Sequence, residues 1–476
     1  MVFSSSIFLF WFLPVFLGVY FLVDRRYKNA VALLASMVFY GFGSPRFLLV
    51  LLLSILVDFF LVRQIDKSAD PKRRKLFLVF SVILNVGLLA YFKYANFFVD
   101  NFNALLEAFG GAPVRWTKVV LPIGISFFTF QKMSYSIDVY RKTSAPLKSI
   151  ADYALFIMLF PQLIAGPIVR YNEIADQITD RNANETIDNK ILGFYRFVIG
   201  LSKKMLIANI LAEYVDRVFA LPTNEIGVAT AWLGMLAYTF QIYFDFSGYS
   251  DMAIGIGRMI GFKFPENFNN PYISRSVTEF WKRWHITLGR WMMDYLYIPL
   301  GGNRKGKGRT YLNLWIVFFL SGLWHGADWT FVAWGAYHGV FICLDKLLSG
   351  KRNSASPLLV PLTFLIVMIG WVMFRADDLG YAFRYIGNLF GRNGWQTAAF
   401  VDSQLVVTLI VAAFFSFIGL VPNAKLKSKL DNLSTCHFQL STSRLIVVGL
   451  VIVVLLVLSA SFILKGSFNP FIYFRF

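Results

Sequence analysis

The sequence predicts an all-α polytopic membrane protein, on three observations. Of its 476 residues, 57% are hydrophobic and 15% charged, against about 25% charged in an average soluble domain. The apolar residues fall in long uncharged runs, among them Leu76 to Phe92, Ile226 to Phe244, Leu405 to Val421 and Leu445 to Leu464. A bilayer core of about 30 Å needs roughly 20 such residues per helix. Third, the positive charges collect between the runs. By this count about 10 to 12 hydrophobic segments meet a bilayer. They form one continuous domain over residues 1–476. A soluble enzyme is excluded.

Lys and Arg number 46 against 27 Asp and Glu, a net charge of +19. They cluster in short segments: Arg25, Arg26 and Lys28; Lys67 and Lys72 to Lys75; Arg304, Lys305, Lys307 and Arg309; Lys425, Lys427 and Lys429. That is the positive-inside pattern. The charge therefore reports topology, not nucleic-acid binding. Cys343 and Cys436 stand far apart, outside any CxxC pair, so neither a disulfide framework nor a thiolate metal site is implied.

Ser5 to Val23 is too long for a signal-peptide core and lacks a basic leading region. It reads as a first retained helix with the amino terminus outside. Ala30 to Gly43 and Phe47 to Val62 form a hairpin split at Ser44-Pro45-Arg46, where proline breaks a helix. Leu76 to Phe92 crosses next. Val119 to Val139 returns, and its Ser126, Thr129, Gln131, Lys132, Ser134 and Asp138 suit a helix facing protein or a cavity. Leu155 to Val169 carries Pro161 and Pro167, which fit a broken or re-entrant segment. Tyr171 to Lys190 is polar and reads as solvent-facing. Ile191 to Ala220 is amphipathic and reads as partly interfacial. Asp245 to Arg309 mixes aromatic, charged and Gly/Asn/Pro residues, too polar to span simply. Simple helices resume at Leu312 to Leu320, Phe331 to Leu348, Leu358 to Phe374, Leu405 to Val421 and Leu445 to Leu464. The chain has no internal repeat, which counts against an inverted-repeat transporter.

Four histidines occur. His325 ends the run Trp315 to Gly326, where a group that trades protons near neutral pH is costly without a partner or a purpose. Ser321, Gly322 and Gly326 beside it permit close approach of another group. Trp324 flanks it, and Asp328 could orient the imidazole or face water. His285 lies in WKRWHITLGRWMMDYLYIPL from Trp281, where Trp281, Trp284, His285, Leu288, Met292 and Tyr295 share one face of a helix. Each histidine is open to a structural reading, hydrogen-bonded in the core. His338, thirteen residues past His325, falls on the other side of a continuous helix and is the weaker choice. His437 sits in a polar loop. Asp245 and Ser247 in YFDFSGYSDMAIG line a cavity or cap a helix end. Arg304 and Lys305, in a glycine-rich basic stretch, could hold phosphates or form an ordinary cytoplasmic loop. HExxH, a His/Cys cluster, a Gly-x-Ser-x-Gly elbow and a P-loop are all missing, so no metal is expected. Two histidines in a membrane setting point to acid–base chemistry, such as acyl transfer to a hydroxyl.

Several segments resemble the membrane-bound O-acyltransferase family, and most closely its bacterial alginate O-acetylation branch. They are LPIGISFFTFQKMSYSIDVYR from Leu121, FPQLIAGPIVRY from Phe160 and YFDFSGYSDMAIG from Tyr243. NNPYISRSVTEFWKRWHITLGRWMMDYLYIPLGGNR from Asn269 is the longest, followed by SGLWHGADWTFVAWGAYHG from Ser321, WVMFRA from Trp371 and NPFIYFRF from Asn469. The resemblance implies a many-helix bundle, with re-entrant and interfacial helices around a central tunnel. It maps the family's essential histidine onto His325, as general base, and the second position onto His285, which would orient the acyl group or polarise its carbonyl. Trp324, Asp245, Ser247 and Asp328 would line or support the tunnel. It further implies acetyl-CoA as a cytoplasmic donor, with Arg304 and Lys305 toward its phosphates and no permanently bound cofactor. An extracytoplasmic acetyltransferase partner and a polysaccharide acceptor would receive the acetyl group. The location would be the bacterial inner membrane. Two alternatives stand beside this: a D-alanyl-type transferase fed by an acyl-carrier protein, and a non-catalytic acyl or glycan transporter.

Overall fold

Proline, glycine and short polar caps cut the apolar runs into helices in this computed structural model, which describes residues 1–348, 356, 358–420 and 442–466. Lys425, Lys427, Lys429, Cys436, His437 and the ending from Asn469 lie outside the described residues. No strand occurs among the described residues. The chain packs as two units, residues 1–190 with 257–264, and residues 191–256 with the remainder from 265.

In the first unit a π-helical turn, Phe8–Phe12, leads into α1 (Leu13–Leu22). α2 (Lys28–Gly43) and α3 (Pro45–Lys67) form the expected hairpin, with Pro45 opening α3 where its missing N–H costs nothing. The Asp70 carboxylate accepts from Lys72 N at 2.9 Å and caps α4 (Pro71–Leu89). A π turn, Ala90–Tyr94, carries it into α5 (Ala95–Ala108). α6 (Ile125–Arg141) buries Ser126, Thr129, Gln131, Lys132, Ser134 and Asp138, so the polar helix does face protein. The doubly prolinated run breaks as expected, into α7 (Ile150–Met158) and α8 (Phe160–Leu163), followed by irregular backbone.

The stretch from Tyr171 to Lys190 departs from its solvent-facing reading. α9 (Tyr171–Thr179) buries Tyr171, Ile174 and Ile178, an i, i+3, i+7 stripe. Arg181 is buried too. Its guanidinium donates to Tyr20 Oη at 2.8 Å, Asn29 Oδ1 at 2.7 Å and the Ile260 carbonyl at 3.1 Å. Polar composition here reports internal hydrogen bonding, which composition alone does not separate from hydration.

In the second unit α10 (Ile187–Ser202, of which residues from Ile191 belong here), a π turn (Lys203–Ala208) and α11 (Asn209–Phe219) run on continuously. α12 (Val228–Met259) is 32 residues long. α10 and α12 meet through glycines spaced by seven. A Cβ on Gly200 would lie 2.5 Å from the Gly248 carbonyl, and one on Gly255 2.6 Å from the Gly193 carbonyl. Only glycine admits backbones this close. Then come α13 (Val277–Arg283), α14 (Ile286–Met292), α15 (Gly306–His325), α16 (Trp329–Leu348), α17 (Leu359–Arg375), α18 (Leu379–Leu389), α19 (Ser403–Phe417) and α20 (Thr442–Lys465).

Among the described residues five helices are long and apolar enough to cross a membrane: Pro45–Lys67, Pro71–Ala108, Trp329–Leu348, Ser403–Leu420 and Val447–Lys465. Phe8–Leu22 and Leu359–Arg375 are shorter apolar helices.

Candidate active site

His325 and His285 both lie in the second unit, and both are buried. α15 ends at His325 because Gly326 turns to an extended conformation. A Cβ on Gly326 would fall 2.1 Å from the Phe331 ring, so nothing larger fits. The next helix starts at Trp329, where the Asp328 carboxylate accepts from Thr330 N at 2.8 Å. Asp328 therefore caps α16. The imidazole is oriented instead by the helix itself: Nδ1 lies 2.8 Å from the Ser321 carbonyl. A carbonyl oxygen only accepts, so Nδ1 carries the hydrogen and the neutral ring keeps its lone pair on Nε2. Around the ring stand Trp324 at 4.9 Å, Trp334 at 4.9 Å and Phe374 at 5.4 Å.

The expected continuous helix through Trp281 to Leu300 is broken at His285. α13 stops at Arg283, and His285 takes a left-handed conformation, φ 45° and ψ 52°. The break is held by a segment that sequence reasoning did not single out. Asn269 N donates to the Arg283 carbonyl at 2.9 Å, and Ile286 N to the Asn267 carbonyl at 3.0 Å. The Asn267 side-chain oxygen accepts from Thr287 Oγ1 at 2.9 Å and Thr287 N at 3.4 Å. A backbone N–H can only donate, which identifies that atom as oxygen. His285 Nδ1, 3.2 Å from the same oxygen, must therefore donate to it. Its lone pair is on Nε2, which is buried with no hydrogen-bond partner among the described residues.

His285 lies outside the helices apolar enough to span. Burial first, and then the neighbouring His325, push its pKa well below 6.5, so the imidazole is neutral at physiological pH. The two histidines both contact one indole, Trp324, at 6.0 Å from His285 and 4.9 Å from His325. Phe246 closes on His285 at 4.7 Å.

His338 is in the same aromatic cluster, contrary to its expected place across a continuous helix. The break between Gly326 and Asp328 folds α16 back on α15. Trp334 then touches both His325, at 4.9 Å, and His338, at 5.1 Å.

The supporting residues separate. Asp245 and Ser247 sit in the middle of α12, not at a helix end, and both are buried. Asp245 pairs with Lys204 Nζ at 2.6 Å, both side chains nearly inaccessible. Lys204 lies within the stretch Ile191 to Ala220, whose amphipathic pattern does not single it out. Nearby Arg196 bridges Asp251 and Glu266, each at 2.6 Å. Arg304 and Lys305 are exposed at the start of α15. At 1.5 Å per residue they stand about 30 Å along that helix from His325, so they are not part of the histidine cluster. Among the described residues no three His, Cys, Asp or Glu side chains converge in a metal-holding group.

Comparison with known proteins points the same way. The description "MBOAT, membrane-bound O-acyltransferase family" matches residues 125–356, the stretch that holds both histidines. The chain is 43% identical to the "Probable alginate O-acetylase AlgI" of Pseudomonas putida over 100% of both chains. It is 39% identical to the peptidoglycan O-acetyltransferase of Helicobacter pylori, over 83% of this chain and 80% of that one. The teichoic acid D-alanyltransferase of Bacillus subtilis is 28% identical over 63% of this chain and 83% of its own. Shared motifs, helical architecture and full-length identity agree: this chain belongs to the membrane-bound O-acyltransferase family.

Proposed function

We propose that the protein is a membrane O-acetyltransferase of exopolysaccharide, alginate-type, O-acetylation. It takes acetyl from a thioester, acetyl-CoA, on the cytoplasmic side of the bacterial inner membrane. It passes the group to a hydroxyl acceptor on the far side, where a separate acetyltransferase partner works on the polysaccharide. The observation that carries the reading is the His325 tautomer: Nδ1–H committed to the Ser321 carbonyl, and a basic Nε2 within an aromatic enclosure.

In the proposed step Nε2 of His325 removes the proton of the acceptor hydroxyl as its oxygen attacks the thioester carbonyl carbon. A C–O bond forms, the C–S bond breaks, and the imidazolium returns its proton to the departing thiolate. Trp324, Trp334 and Phe374 present ring faces and edges to the transient imidazolium, which aromatic faces attract. His285 takes a role set by its own tautomer. With Nδ1–H given to Asn267, its Nε2 can only accept, and since the single proton of the reacting hydroxyl goes to His325, it holds a second donor group of the substrates. Polarising the carbonyl would need a donor at that atom.

Acetyl is favoured over D-alanyl transfer by identity along the whole chain to an O-acetylase, against 28% over part of it to a D-alanyltransferase. Replacing His325 with alanine should abolish polysaccharide acetylation with protein level unchanged. Normal acetylation in that strain sinks the assignment. Consumption of acetyl-CoA by purified protein with an acceptor present separates this reading from a transporter.

A further inference from the structure

His338 is fully buried on α16, and neither of its ring nitrogens meets a hydrogen-bond partner among the described residues. Its neighbours are rings: Trp281 at 5.1 Å, Trp334 at 5.1 Å and Tyr337 at 5.4 Å. The indole Nε1 groups of Trp281 and Trp334 are likewise buried without a hydrogen-bond partner among the described residues, and the two indoles touch at 5.4 Å. A neutral imidazole has one donor and one acceptor, and an indole N–H is a donor only. Buried polar atoms left without partners carry their full desolvation penalty. Several of them in one enclosure are the condition under which proteins hold an internal water, which needs two to four polar partners. A purely apolar enclosure stays dry. Gly370 of α17 keeps side-chain atoms away from this ring, since a Cβ there would fall 2.8 Å from His338 Nε2.

Trp334 connects this cluster to the reaction. Its ring touches both His338, at 5.1 Å, and His325, at 4.9 Å. We propose that His338 and the indole N–H groups of Trp281 and Trp334 bind one buried water, and that through this water and the Trp334 ring His338 is a positioning residue for His325. The inference rests on His325 being the base. The water fixes the plane of Trp334, and that plane sets where the His325 imidazole stands when it takes up the proton.

The test compares two replacements that a packing role and a water-binding role rank in opposite order. His338→Phe keeps an aromatic ring in an aromatic cage and removes both hydrogen-bonding atoms. His338→Gln keeps a donor and an acceptor but loses the ring. With purified full-length protein in nanodiscs and acetyl-CoA as donor, Phe should lower kcat by about tenfold or more, the cost of a displaced catalytic group. KM should be unchanged, and Gln should stay closer to the wild type than Phe. Phe at wild-type activity, or Phe better than Gln, overturns the proposal.

A second arm does not use activity. With four histidines in the chain, [15N]histidine spectra can be assigned by single replacement. One His338 nitrogen, the one that meets the water, should show the shift of a hydrogen-bonded imidazole nitrogen. Shifts of a free imidazole at both nitrogens overturn the water site. If the wild type itself transfers no acetyl group, the acetyltransferase reading falls, and the spectrum still decides the water.

Discussion

At the scale of the residue, His285 is held in a conformation that L residues rarely adopt, at φ 45°. Such a residue costs of order 1–3 kcal/mol and persists only where its surroundings enforce it. Asn267 is the enforcing residue, with its carbonyl on Ile286 N and its side chain on Thr287 and His285. Asn267→Ala should lower kcat by about 10- to 100-fold, the loss typical of a mispositioned catalytic group. The Nδ1–H tautomer of His285 should be lost from the [15N]histidine spectrum at the same time. The pH dependence of stability follows from the lowered pKa of His285. Below pH 6.5 the unfolded chain binds a proton there that the folded chain refuses, so stability falls as pH drops from 6.5. His285→Gln should flatten that slope in thermal denaturation at pH 7.5 and 5.5. Both histidines could be singled out in the sequence, His325 by its apolar setting and His285 by the family resemblance. Their orientation was not. It depends on Asn267, eighteen residues from His285, and on a backbone carbonyl one turn before His325.

At the scale of the element, the α15/α16 hairpin decides where His325 stands. Gly322 and Gly335 let the two helices touch: a Cβ on Gly322 would lie 2.4 Å from the Phe331 carbonyl, and one on Gly335 2.5 Å from that of Phe318. Neither backbone can yield cheaply. Gly322→Ala should destabilise by about 1–3 kcal/mol through overpacking and lower activity, because His325 sits less than one turn further on. Gly339 offers a control on the same helix, where a Cβ would meet Phe318 and Trp315 at 3.5 Å, ordinary contact. Gly339→Ala should keep both stability and activity, as measured by denaturation and acetyl transfer side by side. Small residues beside His325 had indicated this close approach. The helix breaks were harder to read. Trp281 to Leu300 has helical periodicity on both sides of His285, and nothing in that pattern announces a partner segment at residues 267–269. His338 was misplaced because thirteen residues from His325 were counted along one continuous helix, across Gly326 to Asp328, where one helix ends and the next begins.

At the scale of the molecule, charge does two different jobs that composition cannot separate. Buried charges tie helices together within the second unit. Removing Asp245 alone would leave Lys204 buried without its ion-pair partner, a cost of about 3–5 kcal/mol. Lys204→Met combined with Asp245→Ala should recover most of that stability, as read by thermal denaturation. Exposed charges act at long range. Arg304 and Lys305 are exposed at the far end of α15, about 30 Å from His325 at 1.5 Å per residue. A residue that distant cannot stabilise the reacting carbonyl, but in the short basic loop it can draw in an anionic donor. Reversal of both charges, Arg304→Glu with Lys305→Glu, should raise KM for acetyl-CoA several-fold and leave kcat unchanged, the signature of lost binding without lost chemistry. Debye screening shortens from about 10 Å at 0.1 M salt to about 3 Å at 1 M, so the KM difference should shrink as salt is raised. A fall in kcat that persists at high salt would mean the loop reaches the reacting end of the donor, and the two ends of α15 would then have to be treated as one site.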